Sequence, residues 1–228
     1  MGFFSLKNKI NHNSFYYNLY LYYNLYLKEK IFLKKKSYSQ FREDLEIKKF
    51  FTSNYKGVYV DIGCYHPTKF SNTALLYQNG WRGFNIDINK LSIDLFNIAR
   101  PHDKNVNASI ANESGKEITF YYNNLFSTLN SLHKDHLINY KLKNINQSTV
   151  KCKRFEEIVG ENFDFLNIDC EGHDFEIIKL INLKKYNPKI ICIEINEKNH
   201  QEINNHLKNN NYILKNTLGL SALYLTKN

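Results

Sequence analysis

The sequence predicts an α/β protein with a doubly wound, mostly parallel sheet, and three observations carry that prediction. Two short apolar runs, Gly57–Cys64 and Trp81–Asp87, have the character of buried strands, and each carries an acid at or near its end. Between them Ser71-Asn72-Thr73-Ala74-Leu75-Leu76-Tyr77 opens on a good helix cap and continues without a breaker. Finally, Asp87 follows the first turn at the spacing, about 20 residues, that lets an acid reach two ribose hydroxyls in a nucleotide-binding sheet. Gly63 allows the sharp turn after the first strand and a close approach of a ligand to the main chain.

The chain has 228 residues, enough for one full core, and divides into a Tyr/Asn/Lys-rich segment, residues 1–36, and a domain, residues 37–228. Within the first, Tyr-Tyr-Asn-Leu-Tyr-Leu occurs twice in succession, from Tyr16 and from Tyr22, a period that fits no solenoid or heptad. A helix there puts Phe15, Leu19, Tyr22, Tyr23 and Tyr26 on one face, with Lys28, Lys30, Lys34, Lys35 and Lys36 following. Residues 10–36 therefore suit peripheral contact with an anionic membrane surface. The plainer reading is a low-complexity helix packed on the domain or on a second subunit, as in a homodimer. Asn11, His12, Asn13, Asn18 and Asn24 make the stretch too polar to span a bilayer.

Ser39 is a cap for a helix running to Phe51, with Glu43 and Asp44 in its first turn. After the two strands already described, Asn105–Ile110 and Glu117–Tyr122 are the third and fourth. The polar stretch Asn123–Ser148, with Thr128, Asn130, Ser131, His133 and His136, is the irregular part, of the kind that shapes a substrate pocket. Val150–Arg154 is a further strand and Phe155–Val159 a short helix. Phe163–Asp169 is a strand ending in an acid, followed by Cys170-Glu171-Gly172-His173-Asp174 and a helix from Phe175 to Ile181. Lys189–Asn196 is an apolar strand with Glu194 near its end; a helix, His200–Lys208, and an antiparallel pair, Tyr212–Lys215 and Ala222–Thr226, complete the fold. In a parallel sheet the ends bearing Asp61, Asp87, Asp169 and Glu194 share one edge, which implies an acidic pocket there.

The net charge of +9 comes almost wholly from lysine. It suits an anionic partner, although a solvated basic surface is the plainer account. Cys64, Cys152, Cys170 and Cys192 have no Cys-x-x-Cys spacing, which argues for core thiols in a reducing compartment and against disulfides or structural zinc. With no secretory signal evident, the expected location is cytoplasmic, or peripheral on the membrane.

At these residues the sequence resembles the FkbM family of S-adenosylmethionine-dependent methyltransferases. The similarity lies in Val60–Pro67, in Ser71-Asn72-Thr73 with Gly80-Trp81-Arg82-Gly83, in Ile168–Asp174, and in Pro188–Glu194; Ser39–Asp44 is similar to the family's lead-in, where glycine is more usual than Arg42. The resemblance spans about Ser39 to Thr226 and implies a Rossmann-like class I methyltransferase fold, a three-layer α/β/α arrangement around a seven-stranded, mostly parallel sheet closed by a C-terminal antiparallel pair. It also implies that Asp61 and Gly63 lie toward the amino-acid end of the cofactor, that Asn72 is among the residues binding it, that Asp87 holds the ribose, that Asn107, Ala108 and Ser109 flank the adenine, and that Asp169 faces the methyl-transfer site. Tyr65 stands where many methyltransferases have a second glycine.

A sugar hydroxyl needs a base or a metal to act as nucleophile, and Asp169, Glu171, His173 and Glu194, together with His66, are the candidates. Asp169 and Glu194 are also oxygen ligands suited to magnesium, without a His/carboxylate spacing that demands it. The expected activity is O-methylation of a sugar, glycan, nucleotide-sugar or surface-polysaccharide precursor. A nucleic-acid methyltransferase is the alternative from charge, although neither an Asp/Asn-Pro-Pro-Tyr box nor a Pro-Cys nucleophile is present. A non-enzymatic protein docked through its N-terminal segment is a third reading, and an NAD-dependent oxidoreductase would need a fuller glycine fingerprint.

Overall fold

A computed structural model describes residues 14–124, 127, 130–142 and 144–227. Residues 10–13 of the aromatic stretch and Thr128 lie outside them, as does the side chain of His136.

The main sheet contains seven strands: β1 (Val58–Ile62), β2 (Arg82–Asp87), β3 (Lys104–Asn107), β8 (Phe165–Ile168), β9 (Ile190–Glu194), β10 (Tyr212–Leu218) and β11 (Ser221–Thr226), in the order β10-β11-β9-β8-β1-β2-β3. Pairings from β3 through β9 are parallel, whereas β11 runs antiparallel to both β9 and β10. The register Asp61↔Asn85 and Asp61↔Asn167 brings the ends of β1, β2 and β8 level.

Alternation along the strands builds a core on each face. Val60, Ile62, Leu166, Ile168, Ile191 and Ile193 point to one side, where they pack with α6 (Phe155–Ile158), α7 (Asp174–Lys179) and α9 (His200–Asn209) through Phe155, Ile177, Ile178, Ile203 and Leu207. Tyr59, Phe165, Ile190 and Cys192 point to the other, against Ile47 of α2 (Glu43–Lys49) and Leu76 of α3 (Ala74–Gln78). Being covered on both faces, the strands are almost uninterruptedly apolar, as parallel strands must be.

Several elements differ from expectation. The first crossover helix begins at Ala74 rather than Ser71, whose hydroxyl instead accepts from the Ala74 amide at 3.2 Å. The third strand breaks at Ala108: β3 belongs to the main sheet, while β4 (Ser109–Ile110) leaves it and pairs with β7 (Asn146–Lys153). With β5 (Glu117–Tyr122) and β6 (Asn130–Ser131), these form a second sheet ordered β4-β7-β5-β6. Much of the polar stretch is thus structured, with α5 (Lys134–Asn139) bridging β6 and β7. Besides α5, two described helices went unanticipated, α4 (Lys90–Ala99), capped by the Asn89 side chain, and α8 (Leu183–Tyr186), capped by Asn182.

The N-terminal segment forms α1 (Phe15–Tyr22), a π-helical turn at Tyr23–Lys28 and a 3₁₀ turn at Lys30–Phe32. Tyr17, Leu21 and Leu25 pack on Leu91 and Leu95 of α4, and Tyr17 donates to Asp94 at 2.7 Å. Among the described residues, no helix is long and apolar enough to cross a membrane.

Candidate active site

The carboxyl edge of the sheet carries two adjoining clefts. The first, with about 570 Å³ of open space, is lined by Ile62, Gly63, Tyr65, Asp87, Ile88, Ala108, Ser109, Asn130, Asp169, Glu171 and His173. The second, with about 1050 Å³, lies over Asp61, Asn72, Asn167, Asp169, Glu171 and Glu194, with Phe41, Phe70, Tyr140 and Leu220 at its rim. Gly63, Tyr65, Asp169 and Glu171 line both, so the clefts meet where β1 and β8 end.

At that junction Gly63 has φ +79°, and a Cβ there would fall 1.7 Å from the carbonyl oxygen of Asp169. The glycine is needed because a neighbouring strand end, rather than a ligand, comes this close. Tyr65 follows at φ +50°, a conformation glycine adopts freely and tyrosine rarely. The strained turn aims the Tyr65 amide at Asp87, which accepts it at 2.9 Å while also accepting the Asn89 amide at 2.7 Å. Burial of Asp87 pushes its pKa up to about 6, with these two amides opposing the shift. Asp87 is therefore held rigidly on the floor of the first cleft. Asn107 donates to the carbonyls of Asp87 and Ile88, both at 2.9 Å, and does not line the cleft; Ala108 and Ser109 do.

Asp61 sits deeper, in a buried polar network. It accepts from Thr73 Oγ1 at 2.6 Å and from Asn167 Nδ2 at 2.8 Å, while Asn72 donates to Asn167 at 2.9 Å. Burial raises its pKa, opposed by Thr73 and by the charge of Arg100. Arg100, 1% exposed, donates to Tyr59, Thr73, Pro67 O and Ser71. Nothing in the sequence set Arg100 apart; the network shows it fastening the first loop and α3 beneath the site.

The acids of the second cleft raise one another's pKa. Burial first, then Asp174 and Glu171, lifts Glu194 to about 8, although it accepts the Gly172 and Glu171 amides. Burial and Asp174 lift Glu171 to about 7. Asp169 is open to the cavity, and its pKa is raised by desolvation and then by Glu194 and Glu171; water in the open cleft tempers the first of these effects. Asp174, the first residue of α7, accepts from the Cys170 and Gly172 amides at 2.8 and 3.1 Å and so shapes the turn carrying Glu171, itself at φ +50°. Among the described residues, no three His, Cys, Asp or Glu side chains converge to hold a metal ion.

The histidines separate. His173 lines the first cleft, where burial lowers its pKa and its ring lies 5.6 Å from that of His133. His66 is a core residue: Nδ1 accepts from the Thr68 and Lys69 amides, Nε2 faces Asn24 at 3.1 Å, and burial drops its pKa to about 3. A neutral imidazole with both nitrogens engaged is a structural tie, which removes His66 from the candidate bases.

Two buried polar atoms at the first cleft have no partner among the described residues, Oδ1 of Asn130 and Nδ1 of His173. Unpartnered polar atoms beside a cleft mark where a ligand can supply the missing hydrogen bond. The sequence named Asn130 only as one polar residue of the Asn123–Ser148 stretch, because its place at the cleft depends on the β5-β6 pairing.

A parallel sheet with paired clefts along its carboxyl edge, one floored by a held carboxylate and one rich in acids, is the site of a ligand-binding α/β enzyme. Comparison with family models narrows the class: the methyltransferase FkbM domain matches residues 61–214. The chain belongs to the FkbM methyltransferase family. No curated protein matches it.

Proposed function

We propose that the chain transfers a methyl group from S-adenosylmethionine to a hydroxyl of a sugar or glycan, in a nucleotide-sugar or surface-polysaccharide precursor. The observation that carries this reading is the junction of the two clefts at Gly63 and Asp169, with Glu171 at a pKa of about 7 directly beside it. The strand order and the antiparallel β11 support the class I methyltransferase arrangement.

The first cleft suits a nucleoside. Asp87 offers carboxylate oxygens to ribose hydroxyls, Ala108 and Ser109 give the base a wall, and the unpartnered Oδ1 of Asn130 suits its amino group. When bound, S-adenosylmethionine supplies an electrophilic sulfonium methyl, so the chain has mainly to align an acceptor and exclude water. Phe41, Phe70 and Tyr140 at the rim of the second cleft provide apolar faces for a sugar ring. Glu171 takes the hydroxyl proton, its raised pKa placing it near working pH. Glu194, accepting the amides of Glu171 and Gly172, holds that turn.

Among the described residues, five acids and no lysine or arginine line the second cleft. A phosphate entering it would find no cationic partner among them, which weighs against nucleic acid and favours keeping any diphosphate of a nucleotide-sugar outside. Incubation with methyl-labelled cofactor and a panel of glycan acceptors tests the proposal. Label in a glycan hydroxyl supports it; label only in RNA, DNA or protein refutes it.

A further inference from the structure

Among the described residues, the outer face of the N-terminal segment is left exposed. Tyr17, Leu21, Asn24 and Leu25 turn inward, and the residues between them remain outside: Phe15 and Tyr16 are 75% exposed, Leu27 63%, Ile31 62%, and Leu19, Tyr22, Tyr23 and Tyr26 between 45% and 57%. The face that an isolated helix would bury is the one this protein shows to solvent. Mixed aromatic and aliphatic side chains on one face are the composition of an interfacial helix.

The charge beside it has one sign. Lys28, Lys30, Lys34, Lys35 and Lys36 are all exposed, and the one acid among residues 14–36, Glu29, is buried and paired with Lys69 at 3.2 Å and Lys28 at 3.6 Å. Two copies meeting through this face would bring like charges together, which disfavours a second subunit as its occupant. Single-stranded nucleic acid is bound in grooves with stacking platforms, whereas this surface is the outer face of a helical segment that sets three aliphatic side chains among its five aromatics. Anionic lipid satisfies both features, apolar side chains entering the headgroup boundary and lysines meeting its charge.

We infer that this face docks the protein on an anionic membrane surface. The position is functionally apt, because Phe32 of the segment meets Phe70 edge-on at 5.8 Å and Phe70 lines the second cleft. A docked protein would hold the mouth of that cleft near the lipid, where an acceptor on a lipid carrier would present itself. The docking does not depend on the methyl-transfer reading.

Co-sedimentation of the full chain with phosphatidylcholine vesicles, with or without 30% phosphatidylglycerol, tests it, with light scattering and thermal melting of the same samples. The expected result is binding only to the anionic vesicles, reduced at least tenfold by 0.5 M salt and by the exposed-face variant Tyr22→Ser/Tyr26→Ser/Leu27→Ser, which melts as the parent does. Equal binding by that variant, no binding by the parent, a parent dimer that the variant dissociates, or binding to single-stranded RNA in preference to vesicles would overturn the inference.

Discussion

The missing Cβ of Gly63 would lie 1.7 Å from the carbonyl oxygen of Asp169, so the ends of β1 and β8 touch backbone to backbone. Both clefts open from that contact. Gly63→Ala must force the strands apart at a residue that also needs φ +79°. The expected loss is at least about 3 kcal/mol, read from urea unfolding, together with loss of S-adenosylhomocysteine binding. A variant of unchanged midpoint would mean that the two strand ends separate freely.

Arg42 gives the opposite expectation. It has φ 68° at the N-cap of α2, is exposed, and makes no side-chain cap hydrogen bond. Arg42→Gly removes the left-handed strain, offset partly by the greater freedom of glycine in the unfolded chain. Net stabilisation of about 0.5–1 kcal/mol should appear as a rise in Tm of a few degrees.

These two positions show what was and was not legible in the sequence. Acid-tipped strands, the Gly63 turn and the resemblance located the edge of the sheet correctly, because apolar runs and turn residues are local signals. The same resemblance marked Arg42 and Tyr65 as standing where glycine is usual, and both have positive φ. Helix α4 was readable but unread: Asn89 is its cap, and Leu91 and Leu95 recur on its inner face. Arg100 was not readable, since its partners Tyr59, Pro67, Ser71 and Thr73 converge only after folding. Equally, the break at Ala108 depends on pairing with β7, about 40 residues away.

Glu171→Gln keeps the size of the side chain and removes the proton acceptor. We expect kcat to fall about 10²- to 10⁴-fold with little change in KM for the acceptor. In the wild type, kcat should rise with pH through about 7, the pKa of Glu171, and the residual activity of the variant should lose that limb. A matching rise in the variant would assign the base elsewhere.

Glu194 makes stability depend on pH in a stated direction. Its folded pKa is raised to about 8, so between the ordinary carboxylate range and pH 8 the folded chain holds a proton that the unfolded chain has lost. This contribution is full at acid pH and declines as pH rises through 8. Glu194→Gln retains an oxygen for the Gly172 and Glu171 amides, so it should melt with the wild type near pH 4.5 and above it at pH 8. Parallel melting curves at both pH values would show that Glu194 is not held protonated.

The central claim is that the carboxylate of Asp87, gripped by the amides of Tyr65 and Asn89, forms the floor of a nucleoside site. Calorimetric titration of S-adenosylhomocysteine into the wild type and Asp87→Asn tests it most directly. The account predicts one exothermic site in the wild type and affinity at least tenfold weaker, about 1.4 kcal/mol, in a variant of unchanged circular dichroism. No heat with the wild type, or equal affinity in the variant, would contradict it.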